Sequence, residues 1–109
     1  MESTPLTLHE LAARVKERAQ ASADVSYTRK LMDRGIAHCA KKLGEEAVEM
    51  AIAAIAEDRD RVIAEAADLL YHLVVVLEVR GIALAEIEAE LSQRTAKSGL
   101  AEKASRPRE

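Results

Sequence analysis

The sequence is almost free of aromatic residues. It contains two tyrosines, Tyr27 and Tyr71, and neither phenylalanine nor tryptophan, although 49% of the chain is apolar. The core must therefore consist of leucine, valine, isoleucine and alanine, which suits the packing of helices. A chain of 109 residues is expected to form a single domain, which buries roughly two-thirds of the surface of its unfolded state.

Three further shortages bear on the location and partners of the protein. The single cysteine, Cys39, has no partner for an internal disulfide, and the first ten residues contain no apolar run typical of a signal peptide. The run of large aliphatic residues at Leu73–Leu77 is far too short to span a bilayer. A net charge of −3 does not indicate binding to nucleic acid. We therefore expect a soluble cytoplasmic protein without membrane or nucleic-acid partners.

Charge is distributed unevenly along the chain. Residues 43–78 contain nine acidic and two basic residues, whereas residues 1–42 and residues 92–109 each carry a net charge of +3. An acidic centre between basic ends is what a site for a metal ion and a polyphosphate requires. Ordinary mixing of surface charges gives the same balance, so this pattern alone leaves both interpretations open.

Hydrophobic spacing predicts an all-α fold, an antiparallel bundle of four to five helices. Thr7 and Glu10 are expected to form a capping box before the first helix, and Gly81 to end the third long one. The predicted helices cover residues 8–21, 29–34, 36–56, 58 or 59 to 79, and 83–96, with Leu84, Ile87 and Leu91 of the last one facing inward. The basic tail, residues 96–109, is by itself typical of a fraying terminus.

Two short acidic clusters lie on consecutive predicted helices. Glu45, Glu46 and Glu49 belong to the first, and Glu65 and Asp68 belong to the second. A spacing of three residues puts Glu46 and Glu49, and likewise Glu65 and Asp68, on one face of a helix. If the two helices fold back antiparallel, each pair lies about two turns, or roughly 10–12 Å, from the bend. The four carboxylates would then face one another.

These carboxylates are predicted to lie among apolar side chains. Residues 66–77 are apolar on nearly every side, the pattern of a buried helix, and only Asp68, Tyr71 and His72 interrupt it. An unpaired carboxylate in such surroundings costs several kcal/mol or retains its proton, so the cluster requires cations. An all-round apolar helix also indicates a homo-oligomer, because one short chain cannot cover it.

The candidate ligands are all oxygens. This set favours Mg²⁺, or Mn²⁺, over zinc, which prefers histidine and cysteine. Such an ion polarises a phosphoryl oxygen and lowers the pKa of a bound water, whose proton a spare carboxylate can accept. We therefore predict metal-dependent hydrolysis of a phosphate compound. A redox metal site and a purely structural bundle remain alternatives, although di-iron sites use Glu-x-x-His and Asp68 precedes His72 by four residues.

Three other residues have two interpretations each. Tyr27 is either an aromatic plug under a loop or a group that stacks beside a ligand. His72 is either a core histidine with satisfied hydrogen bonds or a partner that orients a ligating carboxylate. Lys42 either forms a salt bridge with Glu46 on the same helix or contacts a phosphate at the rim of the site.

Several stretches resemble a known family. Glu45-Glu46-x-x-Glu49 followed by Glu65-x-x-Asp68 is similar to the signature of the all-α, MazG-like nucleotide pyrophosphohydrolases. Within that superfamily the chain resembles the phosphoribosyl-ATP pyrophosphatases of histidine biosynthesis, over Leu8 to Arg106. Four stretches carry the narrower resemblance: Ser26-Tyr27-Thr28 with Lys30-Leu31, Lys41 to Glu49, Asp68 to Leu73, and the tail from Arg94 to Arg106. The tail is the most specific of them.

The resemblance implies hydrolysis of the α–β phosphoanhydride of N1-(5-phosphoribosyl)-ATP to phosphoribosyl-AMP and pyrophosphate. It also implies Mg²⁺, a cytoplasmic helical homodimer, and a separate cyclohydrolase that acts on the product. A housecleaning hydrolase of other nucleoside triphosphates, with the same metal site and a different pocket, is the alternative within the superfamily.

The resemblance also assigns roles to individual residues. The implied metal ligands are Glu46, Glu49, Glu65 and Asp68. Glu45 and Glu49 are the candidate catalytic carboxylates, with Glu45 as a ligand of a second ion or the base that activates water. Substrate contacts are assigned to Tyr27, Lys30, Lys42, Arg94, Lys103 and Arg106.

Overall fold

Five helices make up the fold over residues 4–96. The structure is a computed structural model that describes residues 4–96 together with residues 104, 106 and 107. In chain order the helices are α1 (Leu8–Arg18), α2 (Tyr27–Asp33), α3 (Ile36–Ala56), α4 (Arg59–Val79) and α5 (Leu84–Thr95). The described residues contain no strand, which confirms the predicted all-α fold. No helix among them combines the length and apolar character needed to cross a membrane.

The two longest helices, α3 and α4, form an antiparallel hairpin, which is the largest packing contact in the fold. Only Glu57 and Asp58 separate them, and the Asp58 carboxylate caps α4 by accepting a hydrogen bond of 3.0 Å from the amide of Arg61. After α4, Gly81 adopts a φ of +70°, the left-handed conformation that commonly ends a helix. The predicted bounds of both helices and the predicted stop at Gly81 are confirmed.

The first helix begins as predicted and ends earlier. Thr7 and Glu10 form the predicted capping box, in which each side chain accepts a hydrogen bond from the other residue's amide. The helix ends at Arg18 rather than Ala21, because its last carbonyls find other donors. The Ser26 hydroxyl donates to the Arg18 carbonyl at 2.9 Å, and the chain turns there toward α2.

Helix α2 begins two residues before the predicted start. Its cap is Ser26, whose side chain accepts from the amide of Arg29 at 3.0 Å, and the helix therefore includes Tyr27 and Thr28. The Thr28 hydroxyl is buried and shares a hydrogen bond of 2.6 Å with the hydroxyl of Tyr71 on α4. This bond fixes α2 against the hairpin.

The core is small and aliphatic. Its buried members come from the first four helices: Val15, Leu31, Cys39, Val74 and Val75. Helix α5 lies largely outside this core and makes few contacts with the other described helices. The prediction that Ile87 and Leu91 face inward is wrong for a single chain, because Leu91 is 55% exposed. A hydrogen bond of 2.8 Å between His9 and Glu88 links α5 to α1.

The bond between Thr28 and Tyr71 yields a prediction about stability. Replacing Tyr71 with phenylalanine leaves the buried Thr28 hydroxyl without its partner, so we expect Tyr71→Phe to lower the free energy of unfolding by about 1–2 kcal/mol. Urea denaturation measures this loss. Tyr27→Phe is the matched control, because the Tyr27 side chain is largely exposed. Equal stability of Tyr71→Phe and the wild type contradicts the assigned role of this bond.

Candidate active site

Three carboxylates from the two acidic clusters converge across the hairpin. One oxygen each of Glu46, Glu49 and Glu65 lies within 4.8 Å of the other two. Glu65 is buried, with 4% of its surface exposed, Glu46 is half-buried, and Glu49 lies at the exposed edge. The antiparallel pairing of α3 and α4 thus brings together three of the four carboxylates assigned to a metal ion. We call these three residues the carboxylate cluster.

The fourth carboxylate, Asp68, lies outside the carboxylate cluster. It is exposed, and it follows Glu65 by three residues, which displaces it by about 4.5 Å along the helix and about 60° around it. Its negative charge still reaches the site, because it helps to raise the pKa values of Glu46 and Glu65. Asp68 is therefore a neighbour of the cluster rather than a member.

The cluster carries more negative charge than its neighbours neutralise. Burial, reinforced by the adjacent carboxylates, raises the pKa of Glu46, and burial is also the largest cause of the raised pKa of Glu65. Arg61 donates to one oxygen of Glu65 at 2.6 Å. The second oxygens of Glu65 and Glu46 are buried without a hydrogen-bond partner in the described part of the chain. Unpartnered anionic oxygens of this kind are ligands that Mg²⁺ or Mn²⁺ prefers, so the donor set fits the expected ion.

Glu45 points away from the carboxylate cluster, because successive helical residues are rotated by about 100°. Its carboxylate lies 3.4 Å from the ammonium group of Lys42, and this contact raises the pKa of Lys42. The salt bridge expected between Lys42 and Glu46 is thus replaced by one with Glu45. Lys42 stands between the cluster and the basic surface that precedes it on α3.

His72 lies beneath the site and is 7% exposed. Burial, followed by the charge of Lys42, lowers its pKa, while Asp68 acts in the opposite direction. The imidazole is therefore neutral near pH 7. Its Nδ1 atom has no hydrogen-bond partner among the described residues, so the interpretation as a fully satisfied core histidine is wrong.

A basic cleft opens at the start of α3. It has a volume of about 200 Å³. Its lining residues are Tyr27, Lys30, Leu31, Arg34, His38 and Lys42. Three residues assigned to the substrate, Tyr27, Lys30 and Lys42, therefore share one cleft. Sequence reasoning missed Arg34 and His38, although the spacing of four residues from His38 to Lys42 to Glu46 could have indicated a common helix face.

Tyr27 separates the basic cleft from a larger neighbouring cleft. The side chain is 59% exposed, and its ring stacks on Tyr71 with 6.5 Å between the centroids and 27° between the planes. The interpretation as a plug under a loop is therefore wrong. The larger cleft has a volume of about 460 Å³ and is lined by Arg18, Ala21, Val25, Ser26, Tyr27, Thr28 and Tyr71.

The remaining residues assigned to the substrate lie toward the end of the chain. Arg94 donates to Glu90 on its own helix at 3.0 Å, and Arg106 is half-buried. Neither is among the residues that line the two clefts. Lys103 lies outside the described residues, so its predicted contact with a phosphate stays a prediction.

Comparison with known proteins supports the resemblance seen in the sequence. A family model described as phosphoribosyl-ATP pyrophosphohydrolase matches residues 8–95. A protein of Rhodopseudomonas palustris named phosphoribosyl-ATP pyrophosphatase 1 is 58% identical over 103 residues, which cover 94% of this chain and 96% of the relative. A phosphoribosyl-ATP pyrophosphatase of Azorhizobium caulinodans is 56% identical over 108 residues and 99% of both chains.

A third relative, phosphoribosyl-ATP pyrophosphatase 1 of Bradyrhizobium diazoefficiens, is 60% identical over 100 residues, which cover 92% of this chain and 94% of the relative. The family match begins with α1 and ends with α5, so it does not depend on the tail on which the narrower resemblance had rested. With all five helices and both acidic clusters inside the matched region, the chain belongs to the phosphoribosyl-ATP pyrophosphohydrolase family.

Proposed function

We propose that this protein hydrolyses the α–β phosphoanhydride of N1-(5-phosphoribosyl)-ATP, giving phosphoribosyl-AMP and pyrophosphate in the second step of histidine biosynthesis. The carboxylate cluster beside a basic cleft is the observation that carries the proposal. It occurs in a chain that is 56–60% identical to relatives named for this activity. The attacking water adds its hydroxyl group to one of the two products, and its other proton is released.

Glu46, Glu49 and Glu65 are the residues that would hold Mg²⁺, or Mn²⁺ in its place, with Asp68 at the edge of the site. When bound, the ion supplies a Lewis acid for the phosphoryl oxygens and lowers the pKa of a coordinated water. The unpartnered buried oxygens of Glu46 and Glu65 support this assignment, because a buried anionic oxygen without a donor is costly unless a cation binds it.

Glu49 is the better candidate for accepting the proton of the attacking water. Unlike Glu65, it is exposed at the edge of the cluster, where water has access. Glu45 is also exposed, but its carboxylate is paired with Lys42 and lies outside the cluster. We therefore assign proton transfer to Glu49 and a positioning role to the pair formed by Glu45 and Lys42.

The nucleotide is proposed to bind on the side of α3 that carries both the basic cleft and the carboxylate cluster. Lys42 lies one turn of α3 before Glu46, whose charge contributes to the raised pKa of Lys42, and Lys30 extends the positive charge into the cleft. The exposed ring of Tyr27, backed by Tyr71, offers an aromatic face on which a purine can stack.

A second copy of the chain is proposed to cover the exposed face of α3. Val48, Ile52 and Ile55 follow one another at spacings of four and three residues, and Ile55 is 89% exposed. Gly44 lies on the same side, and a Cβ atom built on it meets no other atom within 4 Å. An apolar stripe next to a small residue favours close packing of two identical helices.

The cellular setting completes the proposal. Cys39 is buried as a free thiol, which suits the reducing cytoplasm. A separate cyclohydrolase is proposed to act on the phosphoribosyl-AMP.

Replacing Glu49 tests the chemistry. Glu49→Gln removes a carboxylate from the cluster without changing its size, so we expect turnover of phosphoribosyl-ATP to fall at least about a hundredfold while the circular dichroism spectrum is unchanged. Pyrophosphate release measures turnover, and Glu17→Gln on the exposed side of α1 is the control. Retained activity removes Glu49 from the site. Faster release from ordinary nucleoside triphosphates than from phosphoribosyl-ATP contradicts the proposed substrate.

The raised pKa of Glu46 predicts how stability depends on pH. The folded state binds this proton more tightly than the unfolded state, so metal-free protein loses stability as the pH rises from about 4.5 through the folded pKa. Metal-free Glu46→Gln is therefore expected to melt at a higher temperature than the wild type at pH 8 and at the same temperature at pH 4.

Added Mg²⁺ should make the wild type melt at a higher temperature than Glu46→Gln at pH 8, because the wild type keeps the full set of ligands. Differential scanning fluorimetry gives all six midpoints. A wild type that gains no stability from Mg²⁺ or Mn²⁺, or a Glu46→Gln protein that gains as much, contradicts the metal site.

The exposed face of α3 predicts a dimer that a single charge disrupts. Ile52→Lys places an ammonium group in the middle of the proposed interface, so the variant should sediment as a monomer where the wild type sediments as a dimer. Val25→Lys, at an exposed apolar residue in the loop before α2, is the control and should leave the dimer intact. A monomeric wild type at micromolar concentration would show that no second copy covers this face.

A further inference from the structure

The basic cleft offers one more positive charge and one more N–H donor than the proposed contacts of Lys30 and Lys42 use. Arg34 and His38 also line it, and no acidic side chain is among its lining residues. Within the described residues no carboxylate forms a salt bridge with Lys30, Arg34 or His38. Burial and the positive charges of Arg34, Lys41 and Lys42 lower the pKa of His38, while Glu45 acts in the opposite direction, so the imidazole is a neutral N–H donor near pH 7. Although Lys42 is paired with Glu45, the cleft keeps a net positive charge from Lys30 and Arg34, which attracts an anion.

Arg34 and His38 lie at the end of the cleft that is farther from the carboxylate cluster. His38, Lys42 and Glu46 follow one another at intervals of four residues on α3, so each step is about 6 Å along the axis. His38 is therefore about 12 Å from Glu46 along the helix, and Lys42 lies between them. An anion bound at Arg34 and His38 is separate from phosphates held at the cluster.

The proposed substrate has two anionic ends that match this separation. Its triphosphate is attached to the ribose on N9 of the purine, and a monophosphate is attached to the second ribose, on N1 at the opposite side of the ring. Because the scissile anhydride must lie at the carboxylate cluster, the monophosphate must lie at a distance from it. An ordinary nucleoside triphosphate has no group to place there.

We propose that Arg34 and His38 form the subsite for the monophosphate of the N1-linked ribose and that this contact selects phosphoribosyl-ATP over ATP. The inference rests on the proposed function for the orientation of the substrate. The Arg34 guanidinium can donate two parallel hydrogen bonds to a phosphate, and an N–H of the His38 imidazole donates another. Tyr27, on the same cleft, lies beside the purine that joins the two ends.

Direct binding of two monophosphates tests the subsite. Phosphoribosyl-AMP carries the N1-linked ribose phosphate and AMP lacks it, and neither contains the pyrophosphate group. In calorimetric titrations the wild type should bind phosphoribosyl-AMP roughly tenfold or more tightly than AMP, as expected for a charge-assisted contact. Arg34→Gln and, separately, His38→Gln should reduce or remove this preference while leaving the affinity for AMP unchanged. Arg80→Gln, on the exposed end of α4, is the control.

The outcomes separate this inference from the proposed function. An undiminished preference in both variants overturns the subsite, and so does an equal loss of affinity for phosphoribosyl-AMP and AMP, which would place the shared nucleotide in the cleft. A wild type that shows the preference but releases no pyrophosphate from phosphoribosyl-ATP would refute the proposed function and leave the subsite standing. If the wild type is active, the Arg34→Gln variant should have a KM for phosphoribosyl-ATP about tenfold higher than that of the wild type, with little change in kcat.

Discussion

Mutual repulsion among carboxylates at the seam between α3 and α4 is the constraint around which the molecule is built. The connection through Glu57 and Asp58 is so short that Glu49 and Glu65, at nearly equal distances from the bend, are brought side by side. Apolar packing of the hairpin then holds Glu65 in a buried position where Arg61 satisfies one of its oxygens. A folded protein that keeps two anionic oxygens without donors is less stable than it could be. That cost is explained if a divalent cation binds there, because ligand binding to the folded state restores the stability.

The groups proposed to bind the substrate and the metal ion follow one another along the axis of α3. Basic side chains occupy its first two turns and the preceding turn, Lys42 stands in the middle, and the carboxylates follow one turn later. The part of the uneven charge that lies between Arg34 and Glu49 therefore forms a spatial gradient along α3. A polyanion with a phosphate at each end fits such a gradient in one orientation. The opposite side of α3 is apolar, so one helix contributes to the proposed site and to the proposed contact between subunits.

Local signals made most of the fold predictable. The capping box at Thr7, the short acidic connection at Glu57 and the glycine at position 81 each have a backbone consequence that depends on a few neighbouring residues.

The convergence of Glu46, Glu49 and Glu65 could be predicted because the register of a hairpin with a short connection is fixed. The choice of Glu45 as the partner of Lys42 could not, because spacings of three and four residues are both favourable on a helix. The place of His38 on one face with Lys42 could have been predicted from their spacing, but the contribution of Arg34 depends on how α2 packs against α3, which no local pattern encodes. The prediction that the apolar residues of α5 face inward failed because spacing identifies an apolar helix face but does not show whether the same chain buries it.

The proposed chemistry depends on a hard divalent ion binding between α3 and α4. Anomalous X-ray diffraction from crystals grown with Mn²⁺ locates that ion directly. We expect an anomalous peak roughly 2–2.5 Å from carboxylate oxygens of Glu46, Glu49 and Glu65, the usual distance for oxygen ligands of such ions. A structure in which these three carboxylates hold no ion at saturating Mn²⁺, or in which the ion binds only to residues elsewhere, would contradict the proposed chemistry.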